Sequence, residues 1–267
     1  MENRLWTVVV FLGVLCGCSK IDLAGITDTV QVDVPVSYTG LAVYSGIDVR
    51  LSEDCTVPQL EADVNIIPHI EIYGQDGTLK ICLEKGVRLD NDAWNSFKAV
   101  VTLPAKDGIR AVTLSGASSL ISDIPFRSDA FSLAASGASM FTGAIKAEEL
   151  DIDLSGASLA ECGFLEGDNM RLSASGASFM KLSGTVQSCN MVLSGASSVS
   201  GISDSQKYSM EIDRCTGSLS GASSATFRSD GEIRCTLSGA SLIYYSGNAD
   251  SSGSHTEGGS AVVPDKG

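Results

Sequence analysis

Histidine is almost absent from this sequence: His69 and His255 are the only two in 267 residues. His69 follows Pro68 in a turn-like setting and His255 sits in a Ser/Gly-rich stretch. No spacing joins either to a nucleophile and an acid, so Ser-His-Asp catalysis is not expected despite the abundance of serine. The eight cysteines show none of the close pairings with each other or with histidine that hold zinc, and no metal or cofactor is expected. Cations are scarce too. Eighteen Lys and Arg stand against 32 Asp and Glu, a formal charge of -14, and such a surface repels phosphate and disfavours nucleic acid as a partner. The apolar run from Leu5 to Leu15 is well short of the roughly 20 residues of a membrane-spanning helix. Long amphipathic helical periodicity is missing, which leaves β structure as the expected class.

What the chain does have is repetition. The word Ser-Gly-Ala-Ser begins at Ser115, Ser136, Ser155, Ser175, Ser194, Ser220 and Ser238, with spacings of 21, 19, 20, 19, 26 and 18 residues. A near-constant period of this size is the mark of stacked repeats. Before each word, apolar positions alternate with small or polar ones, as in Leu150-Asp151-Ile152-Asp153-Leu154. That pattern predicts a strand with one face buried. The fifth position after the first Ser is apolar again (Leu120, Phe141, Ala160, Met180, Val199, Ala225 and Ile243), so a second inward strand follows the word. Gly116, Gly137, Gly156, Gly176, Gly195, Gly221 and Gly239 then mark bends whose backbone resists a Cβ. The expected fold is all-β, a right-handed parallel β-helix, or solenoid, with roughly 20-residue coils and Ser-Gly-Ala-Ser corner turns.

The front of the chain reads as an address. Arg4 precedes the apolar run, and Leu15-Cys16-Gly17-Cys18 fits a bacterial lipobox, so residues 1–17 are expected as a lipoprotein signal peptide and Cys18 as the lipidation site. Outer-membrane attachment through that anchor is the expected localisation, on the cell surface or the periplasmic face. Residues 18–29 read as a tether, and 30–104 as irregular first coils of the β-helix, with a separate small β domain as the rival. Residues 105–246 are the regular repeats, and 247–267 a disordered Ser/Gly-rich tail. Lys85 to Phe97 breaks the strand pattern and reads as a protruding loop.

Several stretches carry a family resemblance. Ser45-Gly46-Ile47-Asp48-Val49, Asp76-Gly77-Thr78-Leu79, Val101-Thr102-Leu103-Pro104 and the repeated Leu-Ser-Gly-Ala-Ser series resemble the auto-transporter adhesin head domain, also called the GIN domain, over about residues 30 to 245. The family is common in lipoproteins of Bacteroides-like gut bacteria. The resemblance implies a right-handed parallel β-helix with two sheets joined by Ser-Gly turns, no established catalysis and a role in adhesion.

The expected function is therefore a non-enzymatic, adhesin-like structural or binding module of the cell envelope. The alternatives are a carbohydrate-active β-helix enzyme, either a polysaccharide lyase or a hydrolase, and a periplasmic scaffold. The enzyme reading would rest on Asp151 and Asp153, which both face outward, but Arg171 follows Asp151 in its column and predicts a surface ion pair instead. The 26-residue spacing marks an insertion after Ser194, and Asp204, Gln206, Lys207 and Tyr208 are its candidate binding residues. A host glycan or protein is the candidate ligand, and a second copy of the chain a further candidate partner. Cys189 and Cys215 share an inward column in consecutive repeats, where a disulfide and a ladder of buried thiols both fit.

Overall fold

The computed structural model describes residues 19–89, 96–201, 206 and 209–265. The front of the chain forms β1 (Ser19–Ile21), β2 (Thr27–Gln31), β3 (Gly40–Val43), β4 (Asp48–Ser52), β5 (Gln59–Asp63), β6 (Ile70–Gln75), β7 (Thr78–Leu83), β8 (Val87–Leu89) and β9 (Ala99–Pro104). The repeats form β10 (Ala111–Leu114), β11 (Ser119–Ser122), β12 (Phe126–Ala135), β13 (Met140–Leu154), β14 (Leu159–Ala174), β15 (Phe179–Leu193) and β16 (Ser198–Ser200). The chain continues through β17 (Met210–Leu219), β18 (Ser224–Arg228), β19 (Glu232–Leu237), β20 (Leu242–Ser246), β21 (His255–Thr256) and β22 (Ala261–Pro264). β1 pairs only with β8, and the other twenty strands form one sheet.

Alternation decides which side of each strand is buried. In β19 the residues Ile233, Cys235 and Leu237 are buried, while Glu232, Arg234 and Thr236 face outward. The same inward set recurs in every repeat because the repeats stack in parallel and in register. Ser132, Asp151, Arg171, Asn190, Thr216 and Arg234 are successive partners across β12, β13, β14, β15, β17 and β19. The sequence period is thus the length of one layer. β14 carries one residue more than its neighbours, which the register absorbs by slipping between Ala144 and Lys146 on one side and between Cys162 and Leu165 on the other. The main apolar core extends from Tyr38 to Ala249, and a small second cluster gathers around Ile66 and Leu89.

The expected right-handed parallel β-helix is corrected by the pairing. The fold is all-β, but four parallel strands close on themselves: β15 pairs with β16 and with β17, and β18 pairs with both of those. Many strands lie outside that closed core, and a right-handed solenoid of uniform coils does not describe the molecule. The layers are also unequal on the return side: β13, β14 and β15 run 15, 16 and 15 residues through it, whereas the neighbouring layers break there into β11 and β12, β16 and β17, and β18 and β19.

The front differs from stacked coils as well. β5 lies antiparallel to β2 and to β9, and β6 and β7 form an antiparallel hairpin. That hairpin turns on Asp76 (φ 50°) and Gly77 (φ 74°), the left-handed pair a tight two-residue turn requires. Residues 18–29, expected as a tether, hold β1 and the start of β2, and the segment expected as a loop holds β8. The tail expected to be disordered carries β21 and β22, which continue the parallel stack on β19 and β20. An eighth bend makes this work: Gly258 has φ 71°, Gly259 N–H donates to the Gly239 carbonyl at 2.8 Å, and Ser260 Oγ donates to the Glu257 carbonyl at 2.7 Å.

Candidate functional site

The repeated bends share one plan, with Ala117 (φ 64°) the one alanine that is also left-handed. Gly116, Gly137, Gly156, Gly176, Gly195, Gly221 and Gly239 have φ between 69° and 79°. Each word's last serine is buried, and its hydroxyl donates to the carbonyl of the word's first serine at 2.6–2.9 Å (Ser118, Ser139, Ser158, Ser178, Ser197, Ser223 and Ser241). Ala157, Ala177, Ala196, Ala222 and Ala240 donate N–H to the glycine carbonyl of the layer below at 2.7 Å. These serines are committed to the bend, and no histidine approaches them. His69 Nδ1 bonds Glu84 Oε2 at 2.8 Å, and His255 Nε2 bonds Glu257 Oε1 at 3.2 Å.

The six described cysteines are free thiols. Cys189 and Cys215 are register partners, and Cys215 Sγ lies 3.8 Å from Cys235 Sγ, so the pair foreseen in the sequence is a row of three buried thiols. Full burial pushes the Cys162 thiol up to about 12, and hydrogen bonding to Cys215 together with burial raises Cys235. Such thiols are poor nucleophiles and poor metal ligands. Among the described residues no group of three or more His, Cys, Asp or Glu side chains could hold a metal ion.

Two adjoining concave surfaces run across the return segments of β12, β13, β14 and β15. The first, about 800 Å³, is lined by Arg127, Lys146, Glu148, Glu166, Asp168 and Gln187 among others. Its groups are largely paired within the chain. Lys146 bonds Glu166, whose carboxyl it holds below the usual range, and Gln187 Nε2 donates to Asp168 Oδ1 at 2.9 Å. The second groove, about 600 Å³, has the buried Phe131, Leu150 and Met170 at its base. Glu149 and Asn169 are partners on one rim, and Ser132, Asp151, Arg171 and Asn190 succeed one another on the other, with Arg110 at the end. Asp151 and Arg171 adjoin in register but form no ion pair. Arg110, Glu149, Asp151, Asn169 and Arg171 are all exposed, and their side chains have no hydrogen-bond or ion-pair partner among the described residues.

Four carboxyl groups outside the groove are held below the usual range by their neighbours. Arg234 lowers Glu232, the Ser252 hydroxyl lowers Asp250, and the Asn248 N–H with Arg228 lowers Asp230. For Asp63 desolvation acts upward, but the backbone N–H groups of Ala24, Asn65, Gly25 and Ile26 outweigh it and hold the carboxyl below the usual range. Asp153 stacks between Ala134 and Ser173, away from the groove.

Of the residues singled out by sequence, Cys18, Asp204, Lys207 and Tyr208 lie outside the described residues, and Gln206 is exposed. The groove went unread in the sequence, although the column Ser132, Asp151, Arg171, Asn190 that forms its rim was already visible by aligning the repeats.

The sequence matches the family described as putative auto-transporter adhesin, head GIN domain, over residues 37–163 and 160–249. The fold is similar to that of a putative adhesin from Parabacteroides merdae ATCC 43184, at 18% identity and a TM-score of 0.75 over 92% of this chain and 99% of that one. A putative lipid binding protein from Parabacteroides distasonis ATCC 8503 gives 16% identity and a TM-score of 0.74, over 93% and 100%. A putative adhesin from Bacteroides fragilis NCTC 9343 gives 17% and 0.62, over 92% and 100%. At these identities the likeness is one of fold. No curated protein matches the chain.

Proposed function

This chain belongs to the auto-transporter adhesin head GIN-domain family, and from that premise we propose that it is a non-enzymatic binding module of the cell envelope. The observation that carries this reading is the second groove, where five exposed polar side chains have no partner among the described residues while every layer beneath them is fixed by the stacked sheet. The sheet beneath is already ordered, so binding there pays only for holding the rim side chains, about 0.5–1.5 kcal/mol each.

In this reading residues 1–17 are removed as a signal peptide and Cys18 takes a lipid that holds the domain to the outer membrane, on the surface or the periplasmic face. Residues 18–29 lead from the anchor into the domain, the front strands of 30–104 give way to the regular repeats of 105–246, and 247–267 close the stack. The envelope placement agrees with the adhesin-like family, and the lipobox Leu15-Cys16-Gly17-Cys18 supplies the anchor. Palmitate labelling of cells expressing the full chain and its Cys18→Ala variant tests the anchor, and attachment of those cells to immobilised host matrix tests the module. Label that persists in the variant rejects lipidation at Cys18. Attachment equal with and without the protein rejects the adhesive role.

A further inference from the structure

We propose that the groove between the Glu149 and Asp151 rims is a subsite for an extended, uncharged oligosaccharide that lies along the stacking axis across four layers. This rests on the binding-module reading and names the ligand class for that same surface.

The chemistry of the rims selects the ligand. Arg110 and Arg171 contribute two positive charges, and Glu149 and Asp151 two negative ones, so these charged rim residues sum to zero within a chain of net charge -14. A polyanion gains nothing there and is repelled by the surroundings. Asn169 and the two guanidinium groups are planar and multidentate, and the carboxylates accept, so vicinal hydroxyls find donors and acceptors on both sides. The strands under the groove are hydrogen-bonded on both edges, β13 by β12 and β14, and β14 by β13 and β15. A peptide therefore has no free edge to extend, and Phe131, Leu150 and Met170 are buried too deeply to open side-chain pockets for one. What remains is a polyhydroxylated chain that lies along the strand backbone between the two rims, with its hydroxyls reaching the rim side chains. Layers about 4.8 Å apart repeat the donors at a distance comparable to one sugar residue.

The test is calorimetric titration of the full chain with uncharged glucan, mannan and N-acetylglucosamine oligomers of two to six residues, beside uronate and sulfated oligomers of equal length. Binding of a neutral oligomer should strengthen with length up to about four residues. It should weaken at least tenfold in Arg171→Ala and in Asp151→Ala, and should be unchanged in Tyr244→Ser on the other row of strands. Neutral binding that ignores both groove substitutions overturns the proposal, as does a preference for charged oligomers that salt abolishes. If no oligosaccharide binds, the glycan assignment falls. The binding-module reading then stands if the same two variants impair attachment of whole cells, and falls with it if they do not. Circular dichroism melts of the variants separate loss of binding from loss of fold.

Discussion

A Cβ placed on Gly195 would come within 2.5 Å of the Gly176 carbonyl oxygen in the layer below. The bend glycines are therefore required twice, once for positive φ and once for close stacking. Gly77 offers the comparison, since it also has positive φ (74°) but meets nothing within 4 Å. Gly77→Ala should cost about 1–2 kcal/mol, the left-handed penalty alone. Gly195→Ala should cost about 3 kcal/mol or more, because backbone overlap is added to that penalty. Asparagine, which tolerates left-handed backbone, should be accepted at Gly77 and rejected at Gly195. Equal melting losses at the two sites would show that stacking contributes nothing.

The buried hydroxyl of Ser178 donates to the Ser175 carbonyl at 2.9 Å and has no exposed surface. Ser178→Ala leaves that carbonyl short of a donor and should destabilise by about 1–2 kcal/mol in urea unfolding, while Ser178→Val should cost more by forcing methyl groups into a closed bend. A fluorophosphonate probe should leave every bend serine unlabelled in the folded protein. Labelling at Ser178 would contradict its architectural role.

How much of this was legible in the sequence depends on the level asked about. The inward columns were, because a period-two pattern repeated at 18–26 residues aligns Leu133, Ile152, Leu172 and Met191 without ambiguity, and those residues are buried. Closure of the sheet was not. It rests on the single register pair Glu211 and Arg228 between β17 and β18, where the insertion and the shortest spacing shift one layer against the next, and no column of the repeat specifies that pair. The eighth bend was missed for a narrower reason: Glu257 and Gly259 replace the serine and alanine of the word, although Gly258 follows Gly239 by 19 residues, within the range of the repeats. The shared column of Asp151 and Arg171 predicts an ion pair, but register fixes only backbone neighbours and leaves the rotamers of two exposed side chains open.

Burial of Cys162 links stability to alkaline pH. Its thiol is raised from 9.0 to about 12 by desolvation, with Glu161 adding to the shift. The folded state therefore holds this proton more tightly than the unfolded chain does. The contribution is intact below about pH 9 and is lost as pH rises from there towards 12, by ~4 kcal/mol in total. Cys162→Ala should flatten the fall of unfolding free energy between pH 9 and 11 while leaving the slope between pH 6 and 8 untouched. In the native protein at pH 8, iodoacetamide should modify Cys55 and Cys82, which are part exposed, and spare Cys162, Cys189, Cys215 and Cys235 until denaturant is added. An unchanged alkaline slope in the variant would mean that the thiol is not sealed from water.

Deletion of residues 247–267 should behave as removal of a structural layer and not as trimming of a tail. β22 sets Val262 beside Ile243, Ala249 is buried against the core, and Tyr245 Oη donates to the Ala249 carbonyl at 3.5 Å. Without this layer Ile243 and Tyr245 face water and β20 becomes an open edge, which Pro264 at the end of β22 otherwise blunts. Exposing two large core side chains costs several kcal/mol, enough to lower the melting temperature by about 10 °C or more and to promote association through the new edge. Hydrogen exchange gives an independent reading, because Gly259 and Ala261 donate N–H to the Gly239 and Ser241 carbonyls at 2.8 and 3.1 Å. These two amides should be protected at least a hundredfold over a free peptide. Unprotected amides together with an unshifted melting curve would return this segment to the status of a tail and end the eighth layer.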